Sequence, residues 1–198
     1  NVVTLYDLAS GRESILWRAP DQGGWSVRDL AFSPDGSRVV IYATSTSKRG
    51  EVWVVNVSSS TIESRHSTLF IGFAFFGAAR LSPDNRRLYL ARSDQASARY
   101  SIQCLDRATG QEIWQTEPQV DAGLAALAIS PDGRVLVSGS GYEDPTIRVW
   151  DVATGRLLRQ LDGHTGFVCK LAFSKDGRSL ISAAGDQTLR FWDTSTWT

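Results

Sequence analysis

Short apolar runs alternate with tight-turn residues along the whole chain. Val39-Val40-Ile41 and Leu88-Tyr89-Leu90 are examples, each following a Ser-Pro-Asp turn that is itself preceded by apolar residues. Apolar runs bounded by Gly, Pro, Asp and Asn are the pattern of strands joined in hairpins. Almost no stretch repeats its apolar positions with helical spacing, so the pattern predicts an all-β chain.

The turns are themselves repeated. Leu30-Ala31-Phe32-Ser33-Pro34-Asp35-Gly36 recurs as Leu81-Ser82-Pro83-Asp84-Asn85, Leu127-Ala128-Ile129-Ser130-Pro131-Asp132-Gly133 and Leu171-Ala172-Phe173-Ser174-Lys175-Asp176-Gly177. Ser33, Ser82, Ser130 and Ser174 step by 49, 48 and 44 residues. In such a turn Pro presets φ, Asp bonds back to the backbone and Gly accepts positive φ. A second phrase keeps the same period out of phase: Leu5-Tyr6-Asp7, Val54-Val55-Asn56, Cys104-Leu105-Asp106, Val149-Trp150-Asp151 and Phe191-Trp192-Asp193. Three copies run on into Ala-Ser-Gly or Ala-Thr-Gly turns. Each period therefore holds four short strands, and four strands in about 40–45 residues is the size of one propeller blade.

The stretch Asp162–Asp193 resembles a full WD repeat. It carries Gly163-His164, the Lys175-Asp176-Gly177 turn, Ser182, Gly185-Asp186 and Phe191-Trp192-Asp193. The resemblance implies an all-β propeller of four-stranded antiparallel blades, about four blade-equivalents in all. The expected division is 1–24 as strands c–d of a preceding blade, 25–70, 71–120 and 121–162 as blades, and 163–198 as a last, incomplete one. The lack of methionine and the opening on a strand-like run suggest a piece of a longer chain. A seven-bladed ring would need roughly 300 residues.

The resemblance also assigns roles. His164, Ser182, Asp186 and Trp192 are expected to form a structural hydrogen-bond network, although Ser, His and Asp could be mistaken for a catalytic triad. Ser138, Asp144 and Trp150 form a partial set with no histidine at the expected place. In WD propellers the d–a and b–c loops make one face, on which partners commonly lie. Counting seven residues back from the serine of each turn phrase places Ser26, with Trp25 beside it, Phe75 and Phe167 there, although Phe75 could equally belong to the core; two residues further on lies Arg28, and the b–c loops add Lys48, Arg49, Tyr142 and Glu143. Trp25 and Phe167 are expected to be exposed. Aromatic and arginine side chains are what interface centres use.

Composition narrows the alternatives. The formal net charge of +0 gives no basic footprint for nucleic acid or anionic lipid. The longest apolar run, Leu69 to Ala79, is too short to cross a bilayer as a helix. Cys104 and Cys169 lie in apolar runs and read as buried free thiols. His66 stands alone in a polar stretch and reads as a solvated loop residue. No metal site and no cofactor are expected. The compartment stays open, a cytoplasmic one being preferred.

The resulting expectation is a non-catalytic scaffold that docks other proteins or peptides, with no nucleic acid and no membrane, beside further blades of the same parent chain. Two alternatives stand next to it. Leu105–Trp114 and Ser14–Trp17 are similar to the Thr-Gly-x-x-x-Trp blades of quinone-dependent dehydrogenases. The chain could also be the sensor arm of a signalling enzyme whose catalytic domain lies elsewhere.

Overall fold

A computed structural model describes residues 1–20, 24–46, 49–69, 78–93, 100–117, 124–140 and 144–198. The strands are β1 (Val2–Tyr6), β2 (Glu13–Arg18), β3 (Ser26–Phe32), β4 (Arg38–Thr44), β5 (Arg49–Asn56), β6 (Ile62–Leu69), β7 (Ala79–Leu81), β8 (Arg87–Ser93), β9 (Tyr100–Asp106), β10 (Glu112–Gln115), β11 (Leu124–Ile129), β12 (Val135–Ser140), β13 (Ile147–Asp151), β14 (Leu157–Leu161), β15 (Val168–Phe173), β16 (Ser179–Ala184) and β17 (Leu189–Asp193). Among the described residues there is no helix.

Every pairing is antiparallel between consecutive strands. β1 and β2 pair alone. Sheet I is β3–β6, sheet II β7–β10, sheet III β11–β14, and sheet IV holds the three strands β15–β17. The sheets follow one another as blades of a β-propeller.

The two repeated phrases build two turns per blade. In the first, the Ser33 hydroxyl donates to Asp35 at 2.5 Å and accepts the Arg38 amide at 3.0 Å. The same serine–aspartate pairing recurs at Ser82–Asp84, Ser130–Asp132 and Ser174–Asp176. Asn85 takes the glycine place in the second copy, at φ +58°, a conformation asparagine tolerates better than most residues. In the second phrase the closing Asp or Asn accepts backbone amides two or three residues on. Asp7 accepts Ala9 and Ser10, Asn56 accepts Ser58 and Ser59, and Asp106 accepts Ala108 and Thr109.

The core lies between sheets. One apolar cluster joins Val3, Leu16 and Trp17 of the β1–β2 pair to Trp25, Val39, Ile41 and Trp53 of sheet I. A second joins Val40, Tyr42, Val52 and Val54 to Leu81, Leu88, Leu90 and Leu105 of sheet II. Tyr89, Ile102 and Cys104 then meet Leu127, Leu136 and Trp150 of sheet III. Val137, Ile147 and Val149 meet Val168, Leu171, Leu180 and Trp192 of sheet IV. Alternate residues of one strand thus face opposite neighbours. A strand buried on both faces is mostly apolar, with its few polar side chains hydrogen-bonded; β4 is buried at every position after Arg38, and its Thr44 accepts from Arg28. The outer strands face water; β14 is exposed from Leu157 to Gln160.

Polar contacts also cross between blades. The turns interlock: Asn85 Nδ2 donates to Asp35 at 2.7 Å, and an added Cβ at Gly133 would come within 3.1 Å of Pro83. Asp29 of β3 accepts Arg80 of β7 at 2.5 Å. Glu63 of β6 binds Arg38 at 2.7 Å within its blade and Arg107 of the next at 3.0 Å.

His66 belongs to this seam and is not a solvated loop residue. It lies on β6, half-buried, and its Nε2–H donates to the Arg107 carbonyl at 3.1 Å. Its burial comes from the β9–β10 turn of the next blade, which local sequence does not announce. Burial, the largest cause, holds the imidazole below its usual range of about 6.5 and outweighs the hydrogen bond to the Arg107 carbonyl, which favours the protonated ring. The unfolded chain therefore takes up this proton before the folded one does. The associated stability is present above about pH 6.5 and is lost as the pH falls toward the lower folded pKa. Urea midpoints measured between about pH 7 and pH 5 should fall for the wild type. They should fall less steeply for His66→Gln; equal slopes would remove His66 from the linkage.

Candidate functional site: a buried polar network beneath a loop face

Sheet IV carries the densest cluster of chemically capable side chains. Ser182 lies mid-strand on β16 and Trp192 on β17. His164 lies in the loop before β15 and Asp186 in the β16–β17 turn. The Trp192 indole donates to Ser182 Oγ at 2.9 Å, and that hydroxyl meets His164 Nε2 at 2.7 Å. His164 Nδ1 lies 2.8 Å from Asp186 Oδ2. A carboxylate only accepts, so Nδ1 carries the proton and Nε2 accepts from the serine. The Thr188 hydroxyl donates to Asp186 at 2.7 Å and the Thr165 amide at 3.0 Å. These bonds, Thr188 first, hold the Asp186 carboxyl well below the usual carboxylate range.

The atom order is that of nucleophile, base and acid, but the surroundings are not those of a nucleophile. Ser182 is 0% exposed and its oxygen already accepts one bond and donates another. The arrangement ties the loop before β15 and the β16–β17 turn to the middle of the sheet.

Sheet III varies the theme. Trp150 donates to Ser138 at 2.9 Å. Asp144 accepts the Thr146 amide and pairs with Arg148, whose other arm reaches Ser140 at 2.6 Å. Arg148 is buried and was missed by the sequence reading. Its signal was a lone charge between Ile147 and Val149, four residues after Asp144.

Sheet I drops the polar device. By register, Ile41 and Val55 occupy the places of Ser182 and Trp192. Trp53 lies between Trp17, with ring centroids 4.9 Å apart, and Trp25, edge-on at 5.2 Å. Trp25 is 7% exposed and belongs to the core. It packs inside the blade and not on the loop face, against the expectation from its position. No histidine fills the space behind this loop, and tryptophans from three strands or strand ends occupy it instead. In sheet II, Trp114 of the Thr-Gly-x-x-x-Trp phrase packs against the next blade. Its indole donates to the Val152 carbonyl at 2.9 Å, and Gly155 lies against its ring.

The described part of the loop face holds Arg28 and Phe167. Arg28 is exposed, with Nε on the Thr44 hydroxyl at 2.9 Å. Phe167 is half-buried rather than exposed. Its ring rests on Gly185, where an added Cβ would come within 2.3 Å of it. Arg49 enters β5 through its backbone. Lys48, Phe75, Tyr142 and Glu143 lie outside the described residues.

Both cysteines are free. Burial pushes the Cys104 thiol up to about 12, so it is not a nucleophile near neutral pH. Among the described residues, no three His, Cys, Asp or Glu side chains converge as a metal site requires.

Comparison with known proteins matches this architecture. Residues 155–193 match the "WD domain, G-beta repeat" family, and residues 95–173 match the "Anaphase-promoting complex subunit 4 WD40 domain" family. The chain belongs to the WD-repeat family. Among WD-repeat relatives, Periodic tryptophan protein 2 of Saccharomyces cerevisiae is 34% identical over 167 residues, covering 84% of this chain and 17% of that protein. Nuclear distribution protein PAC1 of Arthroderma otae is 43% identical over 72 residues, 36% of this chain and 15% of that protein. Protein FIZZY-RELATED 2 of Arabidopsis thaliana is 45% identical over 67 residues, 34% of this chain and 14% of that protein. This WD-repeat chain thus spans less than a fifth of the length of these relatives.

Proposed function

We propose that this WD-repeat chain is a non-catalytic scaffold that docks other proteins through its d–a and b–c loop face. One observation carries the reading. The Ser-His-Asp constellation is spent inside the fold, with Ser182 fully buried and doubly bonded. What it stabilises is the pair of loops on either side of Phe167. Rigid loops lower the ordering cost of binding, and Arg28 and Phe167 offer side-chain types common at interface centres. Similarity to WD-repeat proteins supports the scaffold reading.

The test is affinity capture with the purified protein, wild type against Arg28→Glu/Phe167→Ala, after both give the same circular dichroism. A defined partner held by wild type and lost from the variant is the expected result. The same partners on both would move the docking site to another face. Trp25 is left untouched, because its removal would damage the core.

A further inference from the structure

The chain contains four Asp-Gly pairs: Asp35-Gly36, Asp132-Gly133, Asp162-Gly163 and Asp176-Gly177. An Asp-Gly peptide can cyclise, because the following amide lacks a side chain to shield it. The Gly nitrogen attacks the side-chain carboxyl carbon and a C–N bond forms. The carboxyl hydroxyl leaves as water with the amide proton. Water then opens the five-membered imide at either carbonyl, giving aspartate back or isoaspartate, in which the main chain runs through the side-chain carbon.

Three of the four pairs are locked against this. At each, the glycine nitrogen that would attack is already donating: Gly36 to the Ser33 carbonyl at 2.8 Å, Gly133 to Ser130 and Gly177 to Ser174 at 2.9 Å. The carboxyls are held too. Asp35 accepts the Ser33 hydroxyl and Ser37 amide, Asp132 the Ser130 hydroxyl and Arg134 amide, and Asp176 the Ser174 hydroxyl and Arg178 amide. The serine bond, the largest cause, keeps each of the three carboxyls below the usual range, so the neutral acid that cyclises is scarce.

Asp162-Gly163 is built differently. Both residues are exposed. The Asp162 carboxylate has one hydrogen bond among the described residues, a long one from the Thr146 hydroxyl at 3.3 Å. The Gly163 amide has no hydrogen bond to any described residue. The Arg190 guanidinium lies 2.9 Å from where a Gly163 Cβ would stand, and a positive charge there favours loss of the amide proton.

We propose that Asp162-Gly163 is a modification site of this protein, where isoaspartate forms spontaneously with water as the only co-reactant. The product adds one main-chain carbon just ahead of His164, whose ring is held at 2.7 and 2.8 Å on its two sides. It therefore loosens the network that holds the loop face.

The test is to age the purified protein at neutral pH and physiological temperature, then map peptides by liquid chromatography and mass spectrometry. Isoaspartyl methyltransferase serves as an independent reporter of the isomer. The expected result is a mass-neutral, earlier- or later-eluting form of the peptide holding 162–163, in severalfold excess over the other three pairs. Asp162→Glu, which cannot close a five-membered imide there, should lose that signal. Ser174→Ala should raise isomerisation at Asp176, because it removes one of the locks on that carboxylate. No isomer at 162, or equal amounts at all four pairs, overturns the proposal.

Discussion

Trp53→Ala should destabilise the protein by about 3–5 kcal/mol, the range for removing a fully buried aromatic whose cavity cannot collapse. Trp53 is 1% exposed, and its neighbours Trp17 and Trp25 come from the β1–β2 pair and the start of sheet I. Three rings wedged together cannot close over the void without moving two chain segments. Trp53→Phe retains most of the contact and should cost clearly less. Urea or thermal unfolding reads both. A Trp53→Ala loss below about 1 kcal/mol would mean that this corner relaxes freely and is not a packed core.

Ser182→Ala should be the most costly change of a single oxygen atom. It strands two buried groups, the Trp192 indole N–H and His164 Nε2, and each buried group left unpaired costs about 1–3 kcal/mol. The fold change should appear in unfolding, because the packing volume hardly alters. Adding Trp192→Phe removes one stranded donor but also packing, so the double variant should lose less than the two single losses added together. Additive losses would mean that the three groups do not act as one unit. Were Ser182 a nucleophile instead, the variant would keep its stability and lose an activity.

What could be read in the sequence was whatever is decided locally. The Ser-Pro-Asp-Gly turns and the Asp-x-Ala-Thr-Gly turns are closed by bonds reaching no more than five residues, and their period set the blades. The network of sheet IV was legible through the WD-repeat resemblance, which covers His164, Ser182, Asp186 and Trp192 within one repeat. Partners supplied by another blade were not legible. His66 looked solvated because its cover comes from residues 41 positions away. Trp25 looked like a loop aromatic because counting from Ser33 assumes that every blade fills the same space with the same groups. Sheet I fills it with tryptophan. Arg148 was missed for a related reason: in sheet III an arginine braces the Asp144 turn and Ser140, and a charge in an apolar strand was not weighed as a structural part.

Each apolar cluster takes residues from two neighbouring sheets, and this separates the unit of inheritance from the unit of stability. Duplication copies one period of the chain, but a copied period brings two half-interfaces and completes neither. A new blade is retained only if both of its faces fit strangers, so its sequence is judged by its neighbours before it is judged by any partner. In sheet I, Trp25 and Trp53 pack where sheet IV has its polar network, and the facing β1–β2 pair supplies the third ring, Trp17.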